Sequence, residues 1–98
     1  MNEMGFVLAS KRLVQQKLKV TFMYREKVDN PQDSGWRFFS EYDTDEYVNN
    51  PENIGIYDIN SIIEVDESIV PYLNSNFGTA FEKKGTTFVE LRDFFDKK

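Results

Sequence analysis

Alternation of apolar and polar residues with a period of two, the pattern of β-strands, recurs along this chain. It is clearest in residues 19–27 (KVTFMYREK), where Val20, Phe22 and Tyr24 point to one side. Residues 4–10 (MGFVLAS) are instead apolar on both sides, which is typical of a central strand whose two faces are covered. Two strands are therefore predicted in the first third of the chain, and the first of them is expected to be central.

A third strand is predicted at residues 36–40 (WRFFS). It follows a predicted loop over residues 29–35, which contain an Asn-Pro step, Asp, Ser and Gly. Within the strand, Trp36 and Phe38 share one face and Phe39 lies on the other with the arginine. Large rings dominate core burial, so Trp36 and Phe38 are predicted to be core residues.

Short helices are predicted between these strands from their capping residues. Ser10 can cap a helix that runs to about Leu18, because a side-chain oxygen at this position accepts an otherwise unpaired backbone N–H. Asp43 and Glu46 have the spacing of a capping box, which predicts a second short helix over residues 44–49.

The second half of the chain continues the same alternation of short elements. Residues 55–58 (GIYD) predict a fourth strand, whose final Asp can cap a helical turn. Pro71 has no N–H to continue a helix, so residues 66–73 should form only one or two turns. Residues 78–92 predict a hairpin that turns at the Lys-Gly pair.

These elements predict a single small α+β domain over residues 1–98, with a mainly antiparallel sheet and short helices. Residues 93–98 are expected to form either a last helical turn or a frayed end. Gly35 and Gly78 are expected at turn positions that open strands.

Charge is distributed unevenly along the chain. Residues 1–37 hold seven Lys or Arg and four Asp or Glu, a balance of +3, and residues 83–98 hold five and three, a balance of +2. Residues 38–82 hold ten Asp or Glu and no base, a balance of −10. Such a block attracts a basic surface and repels nucleic acid, so neither DNA nor RNA is expected as a partner. The alternative is that these acids are scattered helix caps and a solvated face.

Composition excludes several classes of chemistry. The chain has no cysteine, so disulfides, thiolate nucleophiles and zinc–sulfur sites are excluded, and no histidine, the usual proton carrier near neutral pH. The EF-hand spacing that begins at Asp43 fails at Val48, where glycine is obligatory, and the five glycines form no phosphate loop. No enzyme, catalytic residue, cofactor or metal site is therefore predicted.

The first residues (MNEMGFVLASKR) do not resemble a signal peptide, and no apolar run approaches the length of a membrane span. We therefore expect a cytoplasmic protein without a membrane partner. A homo-oligomer is left open and is not predicted.

The candidate site is the stretch that begins after WRFFS, where tyrosines alternate with carboxylates. Tyrosine is enriched in protein interfaces because it combines apolar area with a polar tip, and neighbouring carboxylates can bind Arg or Lys of a partner. The residues predicted to bind a protein partner are Glu41, Tyr42, Asp43, Asp45, Glu46 and Tyr47. The alternative is that the rings are packed and the acids simply face the solvent.

Five segments, in this order, resemble the bacterial immunity protein 33 family, which is also catalogued as a domain of unknown function. They are GFVLASKRLV, FMYREK, DSGWRFFS, DEYVNNPENIGIY and SIVPYLNSNFGTAFEK. SGWRFFS and NIGIY are the most distinctive, and the family-like region extends over about residues 4–92. The family often has Gly after the FFS segment, where this chain has Glu41.

The resemblance implies an immunity protein, a cytoplasmic inhibitor that protects a bacterium from its own or a sibling's secreted toxin. It supplies no catalytic residues. Together with the charge pattern, it predicts a toxin-neutralising module that binds a protein partner, such as a basic toxin domain, through an acidic surface. The alternative function is a small cytoplasmic regulatory or ligand-binding domain.

Overall fold

The residues that the structure describes form a six-stranded sheet with three short helices and two short 3₁₀ segments. The computed structural model describes residues 5–92 and 94. The strands are β1 (Phe6–Ser10), β2 (Phe22–Arg25), β3 (Asp33–Phe39), β4 (Ile54–Tyr57), β5 (Thr79–Lys84) and β6 (Thr87–Glu90). The helices are α1 (Lys11–Gln15), α2 (Asp45–Val48) and α3 (Ile59–Val65), with 3₁₀ segments at Pro51–Asn53 and Glu67–Tyr72.

The strand order is β4-β1-β3-β2-β5-β6. Every neighbouring pair is antiparallel except β1 and β3, which are parallel. The predicted α+β domain with a mainly antiparallel sheet is therefore confirmed. The prediction that β1 is an inner strand is confirmed too, since it lies between β4 and β3.

One face of the sheet packs against the helices and forms the core. Trp36 and Phe38 lie on this face, fully buried and stacked with ring centroids 5.7 Å apart, as their spacing predicts. The indole N–H of Trp36 donates to the Leu73 carbonyl oxygen at 3.2 Å, so the buried polar group is satisfied. The cluster of buried residues consists of Val7, Ala9, Leu13, Val20, Met23, Trp36, Phe38, Ile59, Ile62, Ile69, Leu73, Phe81 and Phe88.

The other face of the sheet carries a second set of rings that are only half-buried. Directly paired residues share a face, and the β2–β3 register pairs Phe22 with Phe39 and Tyr24 with Arg37. Met23, between them, faces the core. Val20, which the alternation groups with Phe22 and Tyr24, lies before β2 and is fully buried.

The helix starts follow their capping residues, but α1 is shorter than predicted. Ser10 and Asp58 accept the N–H groups of Leu13 and Asn60, as N-caps do. The chain leaves α1 after Gln15 instead of continuing to Leu18. Farther along the chain, the two turns of 3₁₀ helix over Glu67–Tyr72, which include Pro71, confirm the predicted short segment.

Asp66 is a buried carboxylate, 3% exposed, that joins separate parts of the chain. One oxygen accepts hydrogen bonds from the Val20 N–H and the Lys83 ammonium, both at 2.9 Å. The other accepts from the N–H and hydroxyl of Ser68, at 3.1 and 2.6 Å. Burial by itself raises the pKa of the Asp66 carboxyl, but these hydrogen bonds outweigh burial and hold the pKa below its usual value.

Gly35 lies within β3 and not at the turn that opens it, so the prediction for this residue is wrong. Its φ is +90°, and a Cβ there would lie 2.4 Å from the Glu26 carbonyl oxygen. Gly78, by contrast, directly precedes β5, as predicted; its φ is +89°, and a Cβ there would meet no atom within 4 Å. The early start of β3 thus depends on the close approach of two backbones at Gly35.

We expect Asp66→Asn to lower the free energy of unfolding at pH 7 by about 1–3 kcal/mol, because the amide cannot accept all four hydrogen bonds. Since the folded pKa is depressed, this stabilisation is complete above the unfolded pKa of about 4 and is lost as pH falls through the folded pKa. Urea unfolding should show the difference from the native chain shrinking below about pH 4. Glu67→Gln, at the exposed neighbour, is the control; a difference that stays constant with pH would contradict the assignment.

We expect Gly35→Ala to destabilise the protein by at least about 1 kcal/mol more than Gly78→Ala, because only Gly35 faces a backbone oxygen. The two glycines have nearly the same φ, so both variants share the left-handed strain of about 1–2 kcal/mol. Thermal and urea unfolding of the two variants measure the difference. Equal losses would mean that φ alone sets the requirement for glycine in β3.

Candidate functional site

The acidic tract, residues 41–47, begins where the central strand β3 ends. Ser40 is buried, and the chain then turns outward and enters α2 at Asp45. The parallel neighbour β1 ends at Ser10 beside it, so the start of α1 lies against the tract. The tract is therefore attached to the sheet at one point and held by α1 at another.

Asp43 is the residue that fixes the tract to the sheet. Its carboxylate accepts hydrogen bonds from the Ser10 hydroxyl at 2.8 Å and from the Ser40 N–H and hydroxyl at 2.8 and 3.1 Å. The predicted capping box is wrong, because Thr44 is the N-cap of α2 and accepts the Tyr47 N–H at 3.1 Å. Asp43 bonds to the ends of β1 and β3 instead of to α2.

Tyr47 is held by Arg12 from the first turn of α1. The backbone N–H of Arg12 donates to the Tyr47 hydroxyl at 3.1 Å, and the Arg12 guanidinium lies 4.0 Å from the centroid of the Tyr47 ring. An Arg12 guanidinium N–H also donates to the Tyr42 carbonyl oxygen. This cation from the basic N-terminal part of the chain therefore contacts a ring and a carbonyl, not a carboxylate of the tract.

The six predicted binding residues thus divide into two groups. Asp43 and Tyr47 make internal contacts and are partly buried. The others are exposed, and the Tyr42 side chain is 57% exposed. The exposed members are Glu41, Tyr42, Asp45 and Glu46. Their contact with a partner stays a prediction.

Few of the carboxylates in the acidic block are compensated by a cation. Among the residues that the structure describes, ion pairs reach only two of the ten, Asp66 with Lys83 at 2.9 Å and Glu82 with Lys84 at 3.5 Å. The other two ion pairs, of Arg37 with Glu26 and Asp33, lie outside the block. The carboxylates of the tract therefore have no ion-pair partner among the described residues.

An aromatic groove of about 510 Å³ runs beside the tract on the half-buried face of the sheet. Its floor is formed by rings of β2 and β3 together with one ring from the end of the described chain. Carboxylates of the tract and of β5 form its rim. The groove is lined by Phe22, Tyr24, Phe39 and Phe94 in the floor, with Glu41, Asp43, Asp45 and Glu82 among the rim residues.

The floor rings are in mutual contact. Phe22 lies 6.3 Å from Phe39 and 5.3 Å from Phe94, and Tyr24 stacks on Phe39 at 6.1 Å between centroids. Burial and the nearby Glu26 raise the pKa of the Tyr24 hydroxyl, so it stays neutral at physiological pH. Sequence reasoning missed this groove. Alternation places Phe22 and Phe39 on strand faces, but only the β2–β3 register brings them together.

A second, mixed-charge groove of about 720 Å³ borders the tract at Glu41 and Tyr42. It combines Lys17, Lys19 and Lys83 with the carboxylates of Glu41 and Asp66. Glu41 lines both grooves and so stands on the ridge between them. The two cavities therefore differ in charge although they share a wall.

Neither a metal site nor a membrane span is found in the described part of the chain. Within residues 5–92 and 94, no group of three or more Asp or Glu side chains is arranged to hold a metal ion. No helix in the same ranges is long and apolar enough to cross a membrane.

Comparison with known proteins gives one result. Searches of curated proteins and of solved structures find no match. The sequence does match the family model of the Immunity protein Imm33 domain over residues 7–91. The matched range contains the strand residues that line both grooves, and all six strands except the first residue of β1. The match covers far more than half of the chain and agrees with the resemblance carried by the GFVLASKRLV-to-AFEK segments. This chain belongs to the immunity protein Imm33 family.

Proposed function

We propose that this protein neutralises a toxin by binding a basic surface of the toxin in the cytoplasm of the cell that carries both. The observation that carries the proposal is the exposed acidic tract within a block of ten carboxylates, of which ion pairs between described residues reach only two. Family membership supports an immunity protein, and the charge supports a basic partner.

Electrostatics explains how such a surface would act. Toxins that attack nucleic acid carry basic clefts that bind phosphates, so an acidic inhibitor can occupy the cleft in place of the substrate. Complementary charge accelerates encounter by about 10- to 1,000-fold at low salt, an advantage for an inhibitor that must act before the toxin does. Neutralisation by occupancy needs no reaction, and a chain without histidine or cysteine suits that role.

The tract residues take different parts in the proposed interface. Glu41, Asp45 and Glu46 are exposed and supply the charge that steers the partner. The exposed Tyr42 ring supplies apolar area for a direct contact. Asp43 acts indirectly, because its hydrogen bonds to Ser10 and Ser40 keep the tract in place.

A second candidate function, a regulatory module that binds a small cytoplasmic ligand, is favoured by the mixed-charge groove. Its volume of about 720 Å³ lies in the range of small-molecule sites, and its three lysines suit an anionic ligand. Purification from the native host separates the two functions. A basic protein that co-purifies in stoichiometric amount supports neutralisation, and a retained small anion in its place supports the module.

We expect the triple variant Glu41→Lys, Asp45→Lys, Glu46→Lys to associate about tenfold or more slowly, at low salt, with the basic partner that co-purifies from the native host. The reason is that reversed charge removes the steering field. Stopped-flow association at several salt concentrations measures both the rate and its salt dependence, which should flatten in the variant. Asp43 is left intact because its carboxylate holds the tract.

The matched control is Glu52→Lys, Glu64→Lys, Glu67→Lys, which reverses three other exposed acids and changes the net charge equally. We expect it to slow association far less than the tract variant does. Equal slowing would show that net charge alone matters, and no slowing by the tract variant would show that the tract is the wrong surface.

A further inference from the structure

We propose that the aromatic groove binds an arginine side chain of the protein partner. This inference rests on the proposed function and adds to it the chemical group that the partner inserts. The inference is based on the groove itself, which has a floor of half-buried rings and a rim of carboxylates and lies directly beside the acidic tract.

Comparison of the two grooves indicates that the occupant is a cation. The described lining of the aromatic groove contains four carboxylates and no Lys or Arg. The lining of the mixed-charge groove contains three lysines and two carboxylates. Among the described lining residues, the charged groups of the aromatic groove are thus all negative and lie beside half-buried rings, a low-dielectric surface that strengthens attraction for a cation.

The rim carboxylates differ in their capacity to accept further hydrogen bonds. Asp43 already accepts from Ser10 and Ser40. Glu41 and Asp45 are exposed, and Glu82 is 3.5 Å from the exposed ammonium of Lys84, a pair that solvent screens. Glu41 and Asp45 are accordingly the principal acceptors for an entering cation.

Arginine fits this site better than lysine because its flat guanidinium can stack on a ring while its edge donates to a carboxylate. The protein itself uses both geometries. The guanidinium of Arg12 lies 4.0 Å from the Tyr47 centroid and that of Arg25 lies 4.4 Å from the Phe77 centroid. Arg37 donates through two nitrogens to both oxygens of Asp33, each at 2.9 Å.

The location of the groove links it to the tract. Glu41 and Asp45 belong to the tract and also line the groove, so a partner steered by the tract reaches the groove without a second docking event. Burial of the apolar stem of arginine against Phe22 and Phe39 would add contact area that the tract alone lacks. Such an inserted residue has the properties of an interface anchor.

The test uses the full chain and three small probes, monitored by NMR of the Phe22 and Phe39 ring signals. The probes are N-acetyl-arginine N-methylamide, its lysine counterpart, and the citrulline counterpart, which is nearly isosteric with arginine but neutral. We expect saturable shifts with the arginine probe, several-fold weaker binding of the lysine probe, and at least about tenfold weaker binding of citrulline.

Two double variants locate the binding. Glu41→Gln with Asp45→Asn should weaken the arginine probe about two- to tenfold, whereas the matched control Glu52→Gln with Glu64→Gln should stay within about twofold. Equal binding of citrulline and arginine, shifts centred on the mixed-charge groove, or no saturation at probe concentrations on the order of 0.1 M would overturn the inference.

Failure of this inference and failure of the proposed function give different results. If the probes do not bind but the tract variant still slows toxin association, neutralisation stands and the groove is not its arginine site. If the arginine probe binds in the groove but the chain does not protect cells from the toxin, the site stands and the proposed function is wrong.

Discussion

The pairing of β2 with β3 is the constraint on which the rest of this structure depends. It sets Met23 opposite Phe38 on the core face and Phe22 opposite Phe39 on the other. A shift of one residue would move the core residues to the solvent and the groove rings into the core. The register is set at one end by Gly35, whose lack of a Cβ permits the close approach of the Glu26 backbone. The same pairing therefore defines both the hydrophobic core and the floor of the groove.

The acidic tract depends on this core because it starts where the central strand ends. Asp43 and Tyr47 are used internally, by Ser10 and Ser40 and by Arg12, so the tract is held in a defined position. The other four of the six candidate residues are exposed to solvent. An ordered loop loses less conformational entropy on binding than a flexible one, and this pre-organisation favours affinity.

The tract and the aromatic groove act together in the proposed interface. The tract supplies charge at long range, where carboxylates without cation partners steer a basic protein. The groove supplies contact at short range, where rings and carboxylates converge on one cavity. The buried carboxylate of Asp66 differs from the exposed carboxylates of the tract, because four hydrogen bonds from the protein offset the cost of its burial. Among the described residues, the buried charges of Arg37 and Asp66 are ion-paired, whereas the carboxylates of the tract are not.

The sequence by itself determined the local features, because their causes are local. Alternation set Trp36 and Phe38 on one face, and Ser10 and Asp58 cap the helices that follow them. Pro71 limits its helical segment to two turns, and the acidic block is a property of the sequence alone. It also carried the segments that match the family. It misplaced the cap of α2, because Asp43 finds better partners at the ends of β1 and β3 than in its own helix. It assigned Gly35 to a turn, because the contact that requires glycine comes from another strand. Strand order, register and the groove were decided only by the tertiary structure, since each depends on pairing between residues distant in the chain.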